Sequence, residues 1–135
     1  MKRYALVALQ VSGGTPPFAP TATVSLLVDG DEVRESAVGS GMVDAAFRAV
    51  SRVVEIAEGH NDIALESYSV VAVSPGSNAM GRVDLKIRWS NLIAYGRGED
   101  ADVVVASTKA LVDALDRMGR GEYDPYEQDL TGIPS

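Results

Sequence analysis

The sequence predicts an α+β fold of two βββα units related by internal pseudo-symmetry, with sheets packed against helices and the whole dimeric. Three observations predict it. The same order of apolar periodicities occurs twice along 135 residues, a Gly-x-Gly precedes each helical stretch, and two such small units leave sheet surface that neither covers alone.

Taken in order, residues 4–11 form an apolar, strand-like run, followed by a loop at 12–20 rich in Gly, Pro and Thr. Residues 22–28 alternate, with Val24, Leu26 and Val28 on one face. Asp29-Gly30 suits a two-residue hairpin turn, because both tolerate positive φ, and residues 32–38 return as the third strand. After Gly39-Ser40-Gly41 the period becomes helical: Val43, Ala46, Phe47, Val50, Val54 and Ala57 make one stripe, and Gly59 is its stop signal.

The second half repeats the order. Residues 67–73 are a strand and 75–78 a loop; Val83, Leu85, Ile87 and Trp89 then alternate with charged residues. Ser90-Asn91 turns the chain into a strand at 92–95, and Gly96-Arg97-Gly98 stands before a second helix. The stripe of that helix is Val103, Ala106, Ala110, Ala114, Leu115 and Met118, with Asp102 as its N-cap. The domain is therefore expected over residues 1–118, with repeat 1 at about 1–59 and repeat 2 at about 65–118. An acidic, aperiodic tail fills 119–135, mobile or docked on a partner chain. Packing one unit on the other buries both, and the sheet surface left over favours a homodimer.

Composition bounds the function. A net charge of −7 without clustered basic residues argues against a nucleic-acid partner. The first apolar run stops at Gln10, no small-residue cleavage site follows, and nothing approaches the roughly 18 apolar residues of a membrane span. A cytoplasmic protein with no membrane partner is expected. The absence of cysteine removes thiolate nucleophiles, disulfides and zinc-thiolate sites.

The two Gly-x-Gly turns are the main chemical feature. A helix start offers unpaired N–H groups and partial positive charge, and glycines let a carboxylate approach closely. Neither turn has the third glycine of a dinucleotide fingerprint. Taken alone, each is more simply a tight strand-to-helix turn. Asp44, in the first turn of the first helix, favours that helix dipole and suits a zwitterion better than a phosphate. His60 is the sole histidine and reads as a solvated linker residue; no spacing suggests a metal site, a cofactor or a catalytic pair. Enzymatic activity by this chain alone is not expected.

Residues 65–81, containing Leu65, Tyr68, Ala72, Val73, Gly76, Asn78, Ala79 and Gly81, follow the pattern L-x-x-Y-x-V-x-A-V-x-x-G-x-[DN]-A-x-G. Together with Gly39-Ser40-Gly41-Met42-Val43-Asp44-Ala45-Ala46-Phe47-Arg48-Ala49 and Gly96-Arg97-Gly98 through Ser107, this resembles the C-terminal leucine-sensing regulatory domain of 2-isopropylmalate synthases, from about residue 4 to 118. The resemblance implies an allosteric feedback-inhibition domain of a cytoplasmic transferase. That enzyme condenses acetyl-CoA with 2-oxoisovalerate in leucine biosynthesis, one of the branched-chain amino acid pathways. It also implies L-leucine bound at a dimer interface and a catalytic barrel as partner. The barrel is absent here, and the run-out after Gly119 suits the end of a longer enzyme. Carried over motif by motif, the effector's charged groups meet Gly39, Ser40 and Gly41, followed by Val43 and Asp44. Its side chain meets Leu65, Tyr68, Ala72, Ala79 and Gly81. Gly96, Gly98 and Val103 form a second turn, either a structural echo or the partner chain's share. The alternatives are a citramalate-type regulatory domain sensing isoleucine, and a structural dimerisation module with no ligand.

Overall fold

A computed structural model describes residues 3–60, 62–73 and 80–126. Strands β1 (Tyr4–Ser12), β2 (Thr21–Val28) and β3 (Asp31–Val38) form one antiparallel sheet in the order β1-β2-β3, followed by helix α1 (Met42–Glu58). Strands β4 (Ile63–Ala72), β5 (Gly81–Trp89) and β6 (Leu92–Asp100) begin a second sheet, followed by α2 (Val103–Gly119). A two-residue strand, β7 (Asp124–Pro125), completes that sheet in the order β4-β5-β6-β7. The predicted α+β class and the βββα order are both present.

The turns follow from their residues. Asp29 and Gly30 both take positive φ, as the tight β2–β3 hairpin requires. Gly59 ends α1 in the left-handed region, its N–H donating to the Glu55 carbonyl. The Asp102 carboxylate accepts the N–H groups of Val104 and Val105 and caps α2. Val24, Leu26, Val83, Leu85 and Ile87 project from the two sheets into one core with Val50, Val53, Ala110 and Leu115 from the helices. Trp89 joins that core, as its alternation predicts.

Three readings are corrected. Gly96-Arg97-Gly98 is not a turn before α2; it lies inside β6, which runs to Asp100. The reason is close packing. A Cβ at Gly96 would lie 1.9 Å from the Ala110 carbonyl oxygen, and one at Gly98 2.2 Å from that of Ala106. The glycines thus let α2 rest directly on β6. Strand β4 starts at Ile63 rather than 67, because a bulge between Leu65 and Ser67 shifts the register and hides the alternation. The buried face of α1 is Ala45, Ala46, Ala49, Val50, Val53 and Val54, whereas Ala57 is exposed and Phe47 is half-buried.

The chain beyond α2 also has structure up to residue 126. Asp124 and Pro125 pair with Ile93 and Leu92, and the Tyr126 N–H donates to the Asn91 carbonyl at 2.7 Å. Residues 127–135 lie outside the described ones.

Helix α1 covers β2 and β3, α2 covers β5 and β6, and α2 also reaches β1. Side chains of α2 stitch the seam between the sheets. Asp113 accepts the Arg97 N–H, Lys109 donates to the Glu99 carbonyl, and Asp116 accepts the N–H groups of Arg3 and Tyr4. These bonds satisfy strand-edge groups that no neighbouring strand takes.

Candidate functional site

Strand β4 differs from every other long strand. From Leu65 to Ala72 every residue is exposed, on both faces. It lies at the end of its sheet, so the edge away from β5 has no strand partner among the described residues. Leu65 is 47% exposed and Val70 46%, and Val71 and Val73 are exposed as well. An uncovered apolar strand of this length is a surface that ordinarily belongs against something else.

Tyr68 is where this strand meets both helices. Its ring packs edge-on against Phe47 of α1, with centroids 6.3 Å apart. Its hydroxyl lies 2.5 Å from Ser107 Oγ of α2. Ser107 spends its own proton on the Val103 carbonyl, 2.6 Å away, so Tyr68 is the donor to Ser107. Gly81 adjoins the same end of α2: a Cβ there would touch Val103 Cγ2 at 3.7 Å. The structure therefore places Tyr68, Gly81 and Val103 around the N-terminal half of α2, with Phe47 of α1 against Tyr68. Leu65 and Ala72 lie on the exposed strand beside them, and Val43 lies one helical turn before Phe47. Phe47 and Ser107 were not among the site residues expected from sequence. Phe47 belongs to the core stripe of α1, and both residues fall inside the matched motif segments without a site role there.

The turn before α1 has a different character from the start of α2. At Gly39 a Cβ would lie 2.3 Å from the Ala45 nitrogen, so the chain folds back on the helix closely enough to require glycine. At Gly41 a Cβ would meet nothing within 4 Å. Gly41 is the N-cap and carries no side chain to satisfy the first-turn N–H groups. At α2 the Asp102 carboxylate already occupies that position. The start of α1 is thus the more receptive of the two to an added carboxylate. Gly96 and Gly98 serve helix packing within β6 and present no turn.

Asp44 lies beside the first turn. The Ser40 N–H donates to its carboxylate at 2.8 Å, Arg48 Nε at 2.9 Å and the Ser40 hydroxyl at 3.3 Å. The Ser40 N–H, with Arg48, holds the Asp44 carboxyl below its ordinary value of 3.8. Folding favours the ionised form, so this contribution to stability is present above about pH 4 and is lost as pH falls through the lowered value. Asp84 and Asp100 are depressed likewise, chiefly by the Arg97 side chain and the Asp102 N–H respectively. Asp44→Asn is therefore expected to flatten, without abolishing, the fall of melting temperature below pH 4, read by thermal unfolding at each pH.

Ala79 lies outside the described residues. His60 is half-exposed and packs edge-on against Trp89, with ring centroids 5.7 Å apart. Among the described residues, no group of three or more histidines and carboxylates is placed to hold a metal. No helix among them is long and apolar enough to cross a membrane.

Comparison with known proteins agrees with this arrangement. The family described as "LeuA allosteric (dimerisation) domain" matches residues 1–119. The chain is 38% identical over 115 residues to the 2-isopropylmalate synthase of Hydrogenovibrio crunogenus, covering 85% of this chain and 21% of that protein. With the synthase of Solidesulfovibrio magneticus it shares 39% over 122 residues, covering 90% and 23% respectively. With that of a Synechococcus species it shares 41% over 124 residues, covering 91% and 22%. The chain thus spans about a fifth of the length of these relatives. A match over almost all the described residues, with the βββα order and the motifs around Gly39 and Tyr68 in place, leads to one conclusion: the chain belongs to the LeuA allosteric (dimerisation) domain family.

Proposed function

We propose that this chain is the amino-acid-sensing dimerisation domain, residues 1–118, of a cytoplasmic 2-isopropylmalate synthase, and that L-leucine is its effector. One observation carries the reading: an apolar strand exposed on both faces runs past the point where Tyr68 meets both helices. A second copy of the chain covers β4 and forms the binding cleft together with the surface beside Tyr68. The effector carboxylate is received at the start of α1, where the N-cap Gly41 has no capping side chain. Gly39 and Ser40 lie beside it, their own N–H groups held by the Pro20 carbonyl and Asp44. Asp44, paired with Arg48, lies on the side taken by the ammonium group. The branched side chain lies against Val43, Leu65, Tyr68 and Ala72, with Gly81 at the start of β5.

Magnitudes support such a site. Burying a leucine side chain contributes about 1.5–3 kcal/mol. A micromolar affinity needs about 8 kcal/mol, so the charged groups must supply the larger share. This places the selectivity against non-amino acids at the glycine turn, and only about 1–3 kcal/mol separates leucine from valine. The test is thermal unfolding with leucine, isoleucine and valine. At about a hundredfold excess over Kd, mass action contributes about 2.7 kcal/mol and raises Tm by about 10 °C. A larger rise with isoleucine would identify a citramalate-type effector instead. No rise with any of the three at millimolar concentration would leave a structural dimerisation module.

A further inference from the structure

The first residues of β1 are held from two sides. From α2, Asp116 Oδ1 accepts the Arg3 N–H at 2.6 Å and the Tyr4 N–H at 3.0 Å, while its Oδ2 pairs with Arg120 at 3.1 Å. From α1, Glu58 Oε1 accepts from the Arg3 guanidinium at 2.6 Å and from the Tyr4 hydroxyl at 2.7 Å. Tyr4 is 1% exposed and Asp116 3%. Both carboxylates belong to the last turns of their helices, and each helix follows its own sheet. Two consecutive residues are thus tied to the ends of both helices at once.

The contacts of Tyr68 with Phe47 and Ser107 are at the other end of the same helices. Phe47 and Glu58 are about 16 Å apart along α1, and Ser107 and Asp116 about 14 Å along α2, at 1.5 Å per residue. Each is a single helix of 17 residues, so a rigid-body tilt of either one moves both of its ends. The seam offers room for such a change: a cavity of about 370 Å³ lies between Tyr4–Leu6 of β1, Arg97–Glu99 of β6 and the α2 side chains beneath them.

We propose that Glu58 and Asp116 make residues 3–4 the output of the domain, so that an effector seated beside Tyr68 changes how the start of β1 is held. The inference rests on the reading above that an amino acid binds there. In a protein that continues ahead of residue 3, this clamp is where a bound effector acts on the preceding polypeptide.

Two measurements on the 135-residue chain test it together: leucine calorimetry, and amide exchange at Arg3 and Tyr4 with and without saturating leucine. Binding accompanied by a change of about tenfold or more in Tyr4 exchange is expected. In Asp116→Asn the change should vanish and, by reciprocity, the leucine Kd should shift by up to a comparable factor. Tyr4→Phe, which loses only the Glu58 bond, serves the same purpose if Asp116→Asn does not fold. Heat of binding with Tyr4 exchange unmoved overturns the clamp alone. Absence of heat overturns both the clamp and the functional reading beneath it.

Discussion

Gly96→Ala is expected to lower the melting temperature by about 10 °C or more, or to prevent folding. The new methyl carbon would stand 1.9 Å from the Ala110 carbonyl oxygen, 2.8 Å from the Ala114 nitrogen and 2.9 Å from the Ala114 Cβ. Two of these are backbone atoms of a helix, so no rotamer change relieves the overlap. The helix must retreat by more than an ångström from the strand. Ala106, Ala110 and Ala114, all fully buried, would lose their contact with β6 together. The cost is about 3 kcal/mol or more, above the usual range for overpacking because a whole element moves. Gly98→Ala meets the same obstacle at the Ala106 carbonyl and should behave alike. Gly41→Ala is the contrasting case. Its φ is −154°, extended backbone that any residue adopts, and a Cβ there meets nothing within 4 Å. It should unfold within about 0.5 kcal/mol of the parent chain, while weakening leucine by narrowing the turn.

Val70→Lys is expected to leave the protomer folded and to dissociate the dimer. Val70 is 46% exposed in one chain, on the same face of β4 as Tyr68 and Ala72. A lysine there keeps its ammonium in water as long as the chain is alone. Against a second copy, the charge would be desolvated without a partner, at a cost of several kcal/mol counted twice in a symmetric interface. Sedimentation should therefore show a monomer at concentrations where the parent chain is dimeric, with an unchanged far-ultraviolet circular dichroism spectrum. The rise in Tm with leucine should disappear with the dimer. A dimer that survives Val70→Lys would place the interface elsewhere than β4.

Much of the fold was legible because its signals are local. The alternation in β2 and β5, the Asp29-Gly30 hairpin, the stop at Gly59 and the Asp102 cap each depend on a few neighbouring residues. What was misread depends on packing between distant elements. Gly96-x-Gly98 looked like Gly39-x-Gly41, yet only the nearness of α2 distinguishes a strand that accommodates a helix from a turn that begins one. The start of β4 was obscured by its bulge, which breaks the period of two. The stripe of α1 lies a fraction of a turn from the buried face, because the first sheet and the second helix share the burial of that helix. At the candidate site, the resemblance assigns roles to Tyr68 and Gly81; Phe47 and Ser107 fall within its motif segments but receive no role there. Those two matter only through their contact with Tyr68, which no spacing in the sequence expresses.

The pairing of Tyr68 with Ser107 and Phe47 also bears on specificity. The Tyr68 hydroxyl is engaged with Ser107, which leaves the ring as the surface presented beside the exposed apolar residues of β4. A surface of that character is expected to favour an aliphatic side chain over a polar one.

Isothermal titration of leucine into the dimeric chain tests the central claim most directly. Saturable heat with a micromolar Kd and one leucine per chain is expected, reduced at least tenfold in affinity by Tyr68→Ala. A dimer that gives no heat with leucine, isoleucine or valine at millimolar concentration would contradict it.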